Sequence, residues 1–521
     1  MSILSYQLQA RLFAIAEAIP PIRDWVNAWA INRVVNRARH RPHPLSTERD
    51  YVFWQGLTDR RWSARHLPPA ARTDLPAPEA LLDLFRRPRG AQRLCPKSTC
   101  LFPAFAQYLT DGFLRTETEG LRPKGEDPDD RLKRNTSNHE IDLCPLYGRT
   151  EAQTDALREK SQMPGRRGRL KSQTREDGDY APFLWRDGKI APEFEALDRP
   201  LGFDKIDDAM RAKIFAFGGD RANSVPQVAL MNTLFLREHN RLAGLIEADH
   251  PDWDDDRVFE TARNTVIVIF IKLVVEDYIN HISPLPFHLR ADPSVAWTAP
   301  WNKPNWITTE FTLLYRWHAL IPDEMRWGET TFPVGGTFMN NAPVLDGGLL
   351  QGFIDLAAQP AGELGPRNTT AALEHVELAS IEQDRDCALA SFSDYCDYMG
   401  RRRPGRFSDI SSDPQVQTTL AEHYRRARDV DFHVGLFCED RTPNSPLPGL
   451  VLQFVALDAF SQALTNPLLS KHVFKPSTFS RVGWREIRRT DRLRDVVDRN
   501  VPGGAGDAAI SMTRADWTPE T

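Results

Sequence analysis

Two long apolar segments near the middle of the chain limit the folds that this sequence can adopt. Residues 226–248 carry apolar side chains at the spacing of one helix face, and residues 258–283 do the same. Residues 266–275 are apolar apart from Lys272. A helix that is apolar around most of its circumference must be buried, and this run is too short to span a bilayer, which takes about 20 apolar residues. The two segments therefore predict a large helical core.

The rest of the chain extends this helical prediction. Convincing strands are few, and no repeat or Pro/Gly-rich linker divides the main part of the sequence. We predict a mainly α fold, with a short amphipathic helical segment at 1–41 and one large helical domain at 42–521. Further helical patterns occur at 102–116, 310–320, 415–429 and 452–469, with shorter ones between 345 and 400.

The first 41 residues have a pattern suited to a membrane surface. Residues 2–19 show helical spacing, Pro20 and Pro21 end that helix, and a second helix is predicted to begin at Ile22. Tryptophans on one face and arginines at one end fit the plane of a membrane interface; helices that simply cap the core are the alternative. The tryptophans and the arginines are Trp25, Trp29, Arg33, Arg37, Arg39 and Arg41.

Composition excludes several classes of function. The formal net charge of −5 does not favour nucleic acid as a partner. None of the six cysteines forms a CxxC pair, so we expect no zinc site and, at this sparse spacing, no disulfide framework. The N-terminus lacks the basic region and cleavage site of a signal peptide. We therefore expect a protein of the cytoplasm or of a membrane surface, without a transmembrane helix.

The segment 310–323 carries the residues that most suggest chemistry. Tyr315 lies three residues before His318, and on a helix both side chains would leave the same face. A neutral imidazole can bind a haem iron, and a phenol one turn away can lose an electron and a proton to an oxidised haem. Trp317 and its apolar neighbours would keep the site dry. An ordinary helix end with a core histidine is the alternative.

Several segments, in order along the chain, resemble the animal-type haem peroxidase superfamily, and within it the cyclooxygenases and related fatty-acid dioxygenases. The resemblance extends from about residue 18 to about residue 480. The Arg-Glu-His-Asn motif at 237–240 and the Tyr-x-Trp-His motif at 315–318 are its most specific parts. The matching segments are 18–24, 105–113, 141–148, 236–242, 275–283, 310–323 and 475–479.

The resemblance implies haem b, with its iron, as the cofactor. It makes His318 the proximal iron ligand, with Trp317 beside the haem, and it identifies Gln107 with the glutamine of the distal pocket. In the same pattern His239 is structural and does not bind the haem. Arg221 resembles a catalytic distal arginine of the mammalian granule peroxidases, although a structural arginine is the alternative. Ser224 stands where those enzymes attach haem through a glutamate, so we expect no covalent ester there.

The resemblance also implies a radical reaction with dioxygen. Tyr315 would become a tyrosyl radical that abstracts hydrogen from a fatty acyl chain, so that dioxygen can add. Tyr278 falls at the position of a phenol that hydrogen-bonds the radical tyrosine, a role that needs only a second hydroxyl within reach. Ser461 falls at the position of the channel serine near the reacting carbon. Dimers are common in this family, so a homodimer is expected as well.

One departure from the family pattern concerns the distal base. The family has a histidine four residues after Gln107, and this chain has Asp111. The distal base moves a proton between the two oxygens of peroxide as their bond breaks. An aspartate with its unperturbed pKa of about 3.9 is a weak base and reaches less far over the iron, so we expect slow peroxidase turnover. A buried carboxylate paired to an arginine is the alternative interpretation.

Other departures concern the substrate. Leu457 and Leu464 stand where the cyclooxygenases have glycines around the channel serine, which removes room for a bent polyunsaturated chain. Leu285 replaces the tyrosine of the family's carboxylate clamp, and Arg33 lies only near the position of its arginine. A lone arginine can still pair with a carboxylate, but an uncharged head group is equally compatible.

Three functions follow from these residues. The first is a haem-dependent oxygenase that acts on a fatty acid or acyl lipid through a tyrosyl radical at Tyr315. The second is a peroxide-dependent haem peroxidase or peroxygenase in which Tyr315 is not a catalytic radical. The third is a haem- and lipid-binding protein that has lost its catalytic activity, for which Asp111 is the main support.

Overall fold

The computed structural model describes residues 6–36, 47–116 and 128–520, and its architecture is mainly helical, as the apolar periodicity predicts. The α-helices are α1 (Tyr6–Ala18), α2 (Pro20–Val35), α3 (Trp54–Thr58), α4 (Leu101–Asp111), α5 (Cys144–Tyr147), α6 (Glu151–Leu157), α7 (Asp208–Arg211), α8 (Pro226–Asp249), α9 (Asp255–Leu273), α10 (Asn280–Ile282), α11 (Ser294–Trp297), α12 (Thr309–Leu314), α13 (Ala342–Ala358), α14 (Glu374–Asp386), α15 (Phe392–Tyr398), α16 (Pro414–His423), α17 (Phe432–Cys438), α18 (Gly449–Leu464), α19 (Pro476–Arg489) and α20 (Leu493–Asn500).

The two long apolar segments form the centre of the core. α8 starts with Pro226, whose missing N–H is not needed in the first turn. α9 starts after Asp254, whose side chain accepts a hydrogen bond from the backbone N–H of Arg257 at 2.8 Å. α9 packs against α8 and α19, and α4 packs against α8. The burial predicted for 266–275 is confirmed, since its apolar residues are buried on all sides.

The helix that begins as α9 changes from α-helical to π-helical geometry near its C-terminal end. After Leu273 the backbone continues as a π-helical stretch, Val274–Ile279, and then as α10. The helix predicted at 258–283 is therefore confirmed, although it contains a π-helical stretch. A π-helical turn shifts the side chains that follow it around the helix axis and is often found at functional sites. Tyr278 lies in this stretch.

Strands are few and short in the described residues, as predicted. They form two-stranded antiparallel ribbons at the periphery of the helical core. The pairs are β1 (Leu94–Thr99) with β8 (Pro360–Gly362), β2 (Gln173–Arg175) with β3 (Gly178–Tyr180), β4 (Trp185–Arg186) with β5 (Lys189–Ile190), and β6 (Glu324–Trp327) with β7 (Thr330–Pro333).

The N-terminal helices lie against the surface of the core. The break at the two prolines is confirmed, although α2 begins at Pro20 and not at Ile22. α2 packs against α18 and α11, whereas α1 has no buried residue. The basic tail Arg37, Arg39 and Arg41 and the boundary predicted at residue 41 lie outside the described residues. Within the described ranges, no helix has both the length and the apolar character needed to cross a bilayer.

Several predicted helices are too long at their C-terminal ends. The helix predicted at 102–116 ends at Asp111, and the one predicted at 415–429 ends at His423. The helix predicted at 310–320 ends already at Leu314. That early end shapes the site described next.

Candidate functional site

A cavity of about 410 Å³ brings together most of the residues that the sequence singles out. One part of its wall comes from α4, another from the loop before α8, and a third from the segment that follows α12. The cavity is lined by Gln107, Asp111, Arg221, Tyr315, Trp317 and His318, among others.

The segment that carries the tyrosine and the histidine is not a continuous helix. α12 begins after Thr308, whose hydroxyl caps it, and ends before Tyr315. His318 starts a separate 3₁₀ turn, His318–Leu320. The prediction that the two side chains share one helical turn is therefore wrong. The reason is packing: the rings of Tyr315 and Trp317 stack at 4.7 Å, and side chains two residues apart cannot meet on a helix. Both Tyr315 and His318 still face the cavity.

Tyr315 has a phenol partner, as the sequence predicts. Tyr278 Oη donates a long hydrogen bond of 3.3 Å to Tyr315 Oη. The ring of Tyr278 packs against Phe102 and Phe105, which fixes its direction. Burial raises the pKa of both phenols above the usual range, because a phenolate is poorly solvated there. Both residues are therefore neutral, and loss of an electron from Tyr315 must be accompanied by loss of its proton.

His318 presents one ring nitrogen to the cavity and the other to a carboxylate. Its Nδ1 lies 3.1 Å from Glu377 Oε1, although the ring orientation is not aligned for a hydrogen bond. Glu377 is buried on α14. Burial alone would raise the pKa of Glu377, but the imidazoles of His318 and His433 lower it below the usual range. The Nε2 of His318 has no hydrogen-bond partner among the residues that the structure describes.

These features fit the haem that the resemblance implies. An imidazole with a carboxylate beside Nδ1 and no described partner at Nε2 is arranged as a metal-binding histidine usually is. Two arginines, Arg221 and Arg316, also line the cavity, and neither forms an ion pair with a carboxylate in the described parts of the chain. Burial, with a smaller contribution from the charge of Arg221, lowers the pKa of Arg316 to about 10. The carboxylate groups of haem would supply the missing negative charge.

α4 and the loop before α8 carry the polar residues predicted for the distal side. Gln107 Nε2 donates to Ser224 Oγ at 3.2 Å. Arg221 Nη1 donates to the backbone carbonyl of Leu114 at 3.1 Å, which anchors the guanidinium at the cavity edge. This contact gives Arg221 a structural role as well as a position in the cavity wall.

Asp111, at the end of α4, is a carboxyl group with few polar neighbours. Its Oδ2 is buried without a hydrogen-bond partner, and no ion pair joins it to Arg221 or another described cation. Burial raises the pKa of Asp111 to about 7, while the charge of Arg221 opposes that rise. The pKa of Asp111 thus lies above the ordinary aspartate value, and no ion pair joins it to an arginine in the described chain; its role as the distal base stays a prediction.

The residues predicted for the substrate channel lie outside this cavity. Leu457, Ser461 and Leu464 are buried in α18, and Ser461 Oγ donates to the carbonyl of Asp458 at 3.1 Å. Leu285 is half-buried in the loop after α10. Arg33 is exposed, and its guanidinium lies 5.4 Å from the ring centroid of Trp29. None of these five lines the cavity. Their predicted contacts with substrate stay predictions.

Two site residues were missed by sequence reasoning, Glu377 and Arg316. Arg316 stands inside the Tyr-x-Trp-His motif, so its place next to His318 was available from the sequence. Glu377 carried no local signal, because it reaches His318 only through the packing of α14. His239 is structural, as predicted: Tyr147 Oη lies 2.9 Å from its Nδ1 and the carbonyl of Gly168 lies 2.8 Å from its Nε2.

Comparison with known proteins finds a family model and relatives that match most of the chain. Residues 96–510 match the family model described as animal haem peroxidase. The chain is 26% identical over 511 residues to prostaglandin G/H synthase 2 of Equus caballus, with 94% of this chain and 78% of that protein covered. It is 28% identical over 511 residues to prostaglandin G/H synthase 1 of Rattus norvegicus, with 92% and 79% covered.

Solved structures with little sequence identity share the fold. The fatty acid alpha-dioxygenase of Oryza sativa superposes with a TM-score of 0.70 at 16% identity, covering 98% of this chain and 96% of that one. Peroxidase A of Dictyostelium discoideum superposes with a TM-score of 0.69 at 18% identity, covering 87% and 95%.

Proposed function

The chain belongs to the animal haem peroxidase family, and we propose that it is an oxygenase that adds dioxygen to a fatty acid or acyl lipid. Family membership makes it a haem-binding oxidoreductase. The substrate class is supported by its relatives, which include prostaglandin synthases and fatty acid alpha-dioxygenases. The observation that carries the proposal is the hydrogen-bonded pair of Tyr315 and Tyr278 at the cavity that also holds His318.

His318 would hold the haem iron through Nε2, and Trp317, Gln107 and Arg316 would lie around the ring. Bound haem supplies the oxidising equivalent that removes an electron from a nearby side chain. Tyr315 would provide that electron and release its phenolic proton. Tyr278 donates a hydrogen bond to the same oxygen, so it would hold the resulting phenoxyl radical in position.

The radical on Tyr315 would then act on the substrate. Its oxygen takes a hydrogen atom from a C–H bond, which restores the phenol and leaves a carbon radical. Dioxygen adds to that carbon and gives a peroxyl radical. Transfer of a hydrogen atom from Tyr315 to the peroxyl oxygen gives the hydroperoxide and regenerates the tyrosyl radical. The buried aromatic rings around Tyr315 would protect this chemistry from water.

Asp111 would serve as the distal base when peroxide is the oxidant. A carboxylate with a pKa near 7 can take the proton of one peroxide oxygen and return it to the other. Arg221 would stabilise negative charge on the departing oxygen. This proton transfer would be the contribution of Asp111 when peroxide provides the oxidising equivalent.

A peroxidase without a catalytic tyrosyl radical is the second candidate. One observation favours it: the residues predicted for a fatty-acid channel, including Ser461 and Leu457, do not line the cavity that contains Tyr315. In that case the cavity would admit peroxide and a small reductant, and Tyr315 would serve only as part of the wall.

A membrane surface is the proposed partner of the N-terminal helices. No residue of α1 is fully buried, although Phe13 packs against Phe287, and on α2 Trp25 is 65% exposed. Exposed rings and aliphatic chains with arginines nearby are typical of helices that lie in a membrane interface. The exposed apolar residues of this surface are Leu8, Leu12, Ile15, Ile19, Ile22, Trp25 and Trp29. A homodimer stays a prediction.

The test is oxygen uptake by haem-loaded protein given saturated, monounsaturated and polyunsaturated fatty acids in turn, followed by mass analysis of products. The proposal expects consumption of dioxygen and products heavier by the mass of O₂. His318→Ala should lose both the Soret band and the uptake, whereas His375→Ala, at an exposed site on α14, should lose neither. Peroxide-dependent oxidation of small phenols without lipid oxygenation would favour the second candidate.

A further inference from the structure

We propose that Glu377 is a positioning residue that sets the basicity of the proximal imidazole and thereby lowers the reduction potential of the haem. The inference rests on the proposed role of His318 as iron ligand. It concerns a carboxylate on α14, for which the sequence motif gives no indication.

The surroundings of Glu377 are those of an ionised carboxylate. Thr369 Oγ1 donates to Oε1 at 2.8 Å, and His433 Nε2 lies 3.3 Å from Oε2. His318 Nδ1 lies 3.1 Å from Oε1. A carboxylate that accepts a hydrogen bond from a hydroxyl and lies beside two imidazoles has no need of a proton of its own. Glu377 therefore favours the tautomer of each imidazole in which the nitrogen that faces the carboxylate carries the proton.

His433 and Thr369 have a second effect, because they compete with His318 for the same carboxylate. His433 is completely buried, packs on the ring of Phe85 at 5.4 Å, and its Nδ1 has no partner in the described chain. Among the residues that the structure describes, its one polar side-chain contact is thus with Glu377. Each competing donor reduces the negative charge that the carboxylate can offer to His318.

The consequence concerns the electron density at the iron. A carboxylate that accepts from Nδ1–H makes the imidazole a stronger donor through Nε2 and fixes its ring direction. In the present orientation the Nδ1–H is not aligned with Oε1, and a small rotation of the ring would turn the 3.1 Å contact into a hydrogen bond. A stronger donor stabilises ferric over ferrous iron, so the potential falls. A low potential favours the oxidised states from which Tyr315 would draw its radical.

The test measures the ferric/ferrous midpoint potential of the haem-loaded protein by spectroelectrochemistry, together with the iron–histidine stretching frequency of the ferrous form. Glu377→Gln keeps the size of the side chain and removes its charge. Substitution of a residue that contacts a metal-binding histidine costs about 10- to 100-fold in metal affinity. If that loss falls on the ferric form, the potential rises by about 59 mV for each tenfold change in a one-electron couple. The stretching frequency should fall as well.

The controls separate this effect from a merely structural one. Glu382→Gln, at an exposed position on the same helix, should change neither quantity. Thr369→Val removes a competing donor and should lower the potential, opposite to Glu377→Gln. If Glu377→Gln binds no haem, the sign of the shift in Thr369→Val still decides, and an unchanged or raised potential there overturns the proposal.

Failure of this inference is distinct from failure of the proposed function. An unchanged potential and stretching frequency in haem-loaded Glu377→Gln overturns the role of Glu377, while lipid oxygenation by the unaltered protein stands. Retention of the Soret band and the iron–histidine stretch in His318→Ala overturns the ligand assignment, and the role of Glu377 with it.

Discussion

Asp111→Asn is the most informative perturbation of the distal wall. The amide keeps the shape of the side chain but cannot accept the proton of peroxide. With a pKa of about 7, Asp111 is about half ionised at pH 7, roughly one-tenth at pH 6 and roughly nine-tenths at pH 8. An aspartate with the unperturbed pKa of about 3.9 would be ionised throughout this range. Only the ionised form is a base, so activity should be lost as the pH falls through about 7.

The assay is the initial rate of oxidation of a small phenol by hydrogen peroxide, measured with haem-loaded protein between about pH 5 and pH 9. The unaltered protein should lose roughly tenfold in rate for each pH unit below about pH 6 and level off above about pH 8. Asp111→Asn should be slower by about 10²- to 10⁴-fold, the usual contribution of a general base, and should not respond to pH in this way. Asp111→His should be faster than the unaltered protein at neutral pH.

Exposed Asp346 on α13 offers a matched control, because Asp346→Asn makes the same chemical change away from the cavity. It should leave the rate and its pH dependence unchanged. A pH profile that is the same in Asp111→Asn as in the unaltered protein would refute the reasoning, since another group would then be titrating. A flat profile in the unaltered protein would refute the raised pKa.

Three further predictions address Tyr278, α18 and the N-terminal surface. Tyr278→Phe removes one hydrogen bond, which contributes about 0.5–1.5 kcal/mol. The rate of oxygenation should therefore fall by about tenfold or less. The electron paramagnetic resonance spectrum of the tyrosyl radical should also change shape. Leu457→Ala removes a fully buried side chain and should lower the free energy of unfolding, measured by denaturant titration, by about 2–5 kcal/mol. The same change at exposed Leu245 should lower it far less. A small loss at Leu457 would contradict the burial of α18. Trp25→Glu should weaken co-sedimentation with anionic lipid vesicles, because each apolar side chain buried in the interface contributes roughly 1–3 kcal/mol. Leu201→Glu, at another exposed site, should not weaken it. Equal binding by both variants would show that the N-terminal surface does not bind the membrane.

The mainly helical fold could be predicted from the sequence because the apolar periodicity of α8 and α9 leaves no other way to bury those residues. The grouping of Gln107, Asp111, Arg221, Tyr315 and His318 could be predicted because each lies in a motif that resembles the family pattern. Both predictions depend on short-range patterns that a single sequence carries.

The remaining features depend on contacts between distant segments. α12 ends early because the Tyr315 and Trp317 rings stack, and helical propensity alone does not reveal such a contact. The pKa of Asp111 follows from burial, which local sequence does not fix. Glu377 reaches His318 only because α14 packs beside it. The position of Ser461 followed the family pattern, but α18 turns its hydroxyl to its own backbone.

If Tyr315 starts the oxygenation reaction, Tyr315→Phe should abolish that reaction and leave the haem in place. The measurement is oxygen uptake with the best fatty-acid substrate, made on unaltered and variant proteins that have the same haem occupancy by Soret absorbance. The substitution removes only the hydroxyl, so the stack on Trp317 and the position of His318 should persist. We predict that Tyr315→Phe loses oxygen uptake while it keeps haem and peroxide-dependent oxidation of small phenols. Undiminished oxygen uptake by Tyr315→Phe would contradict this prediction.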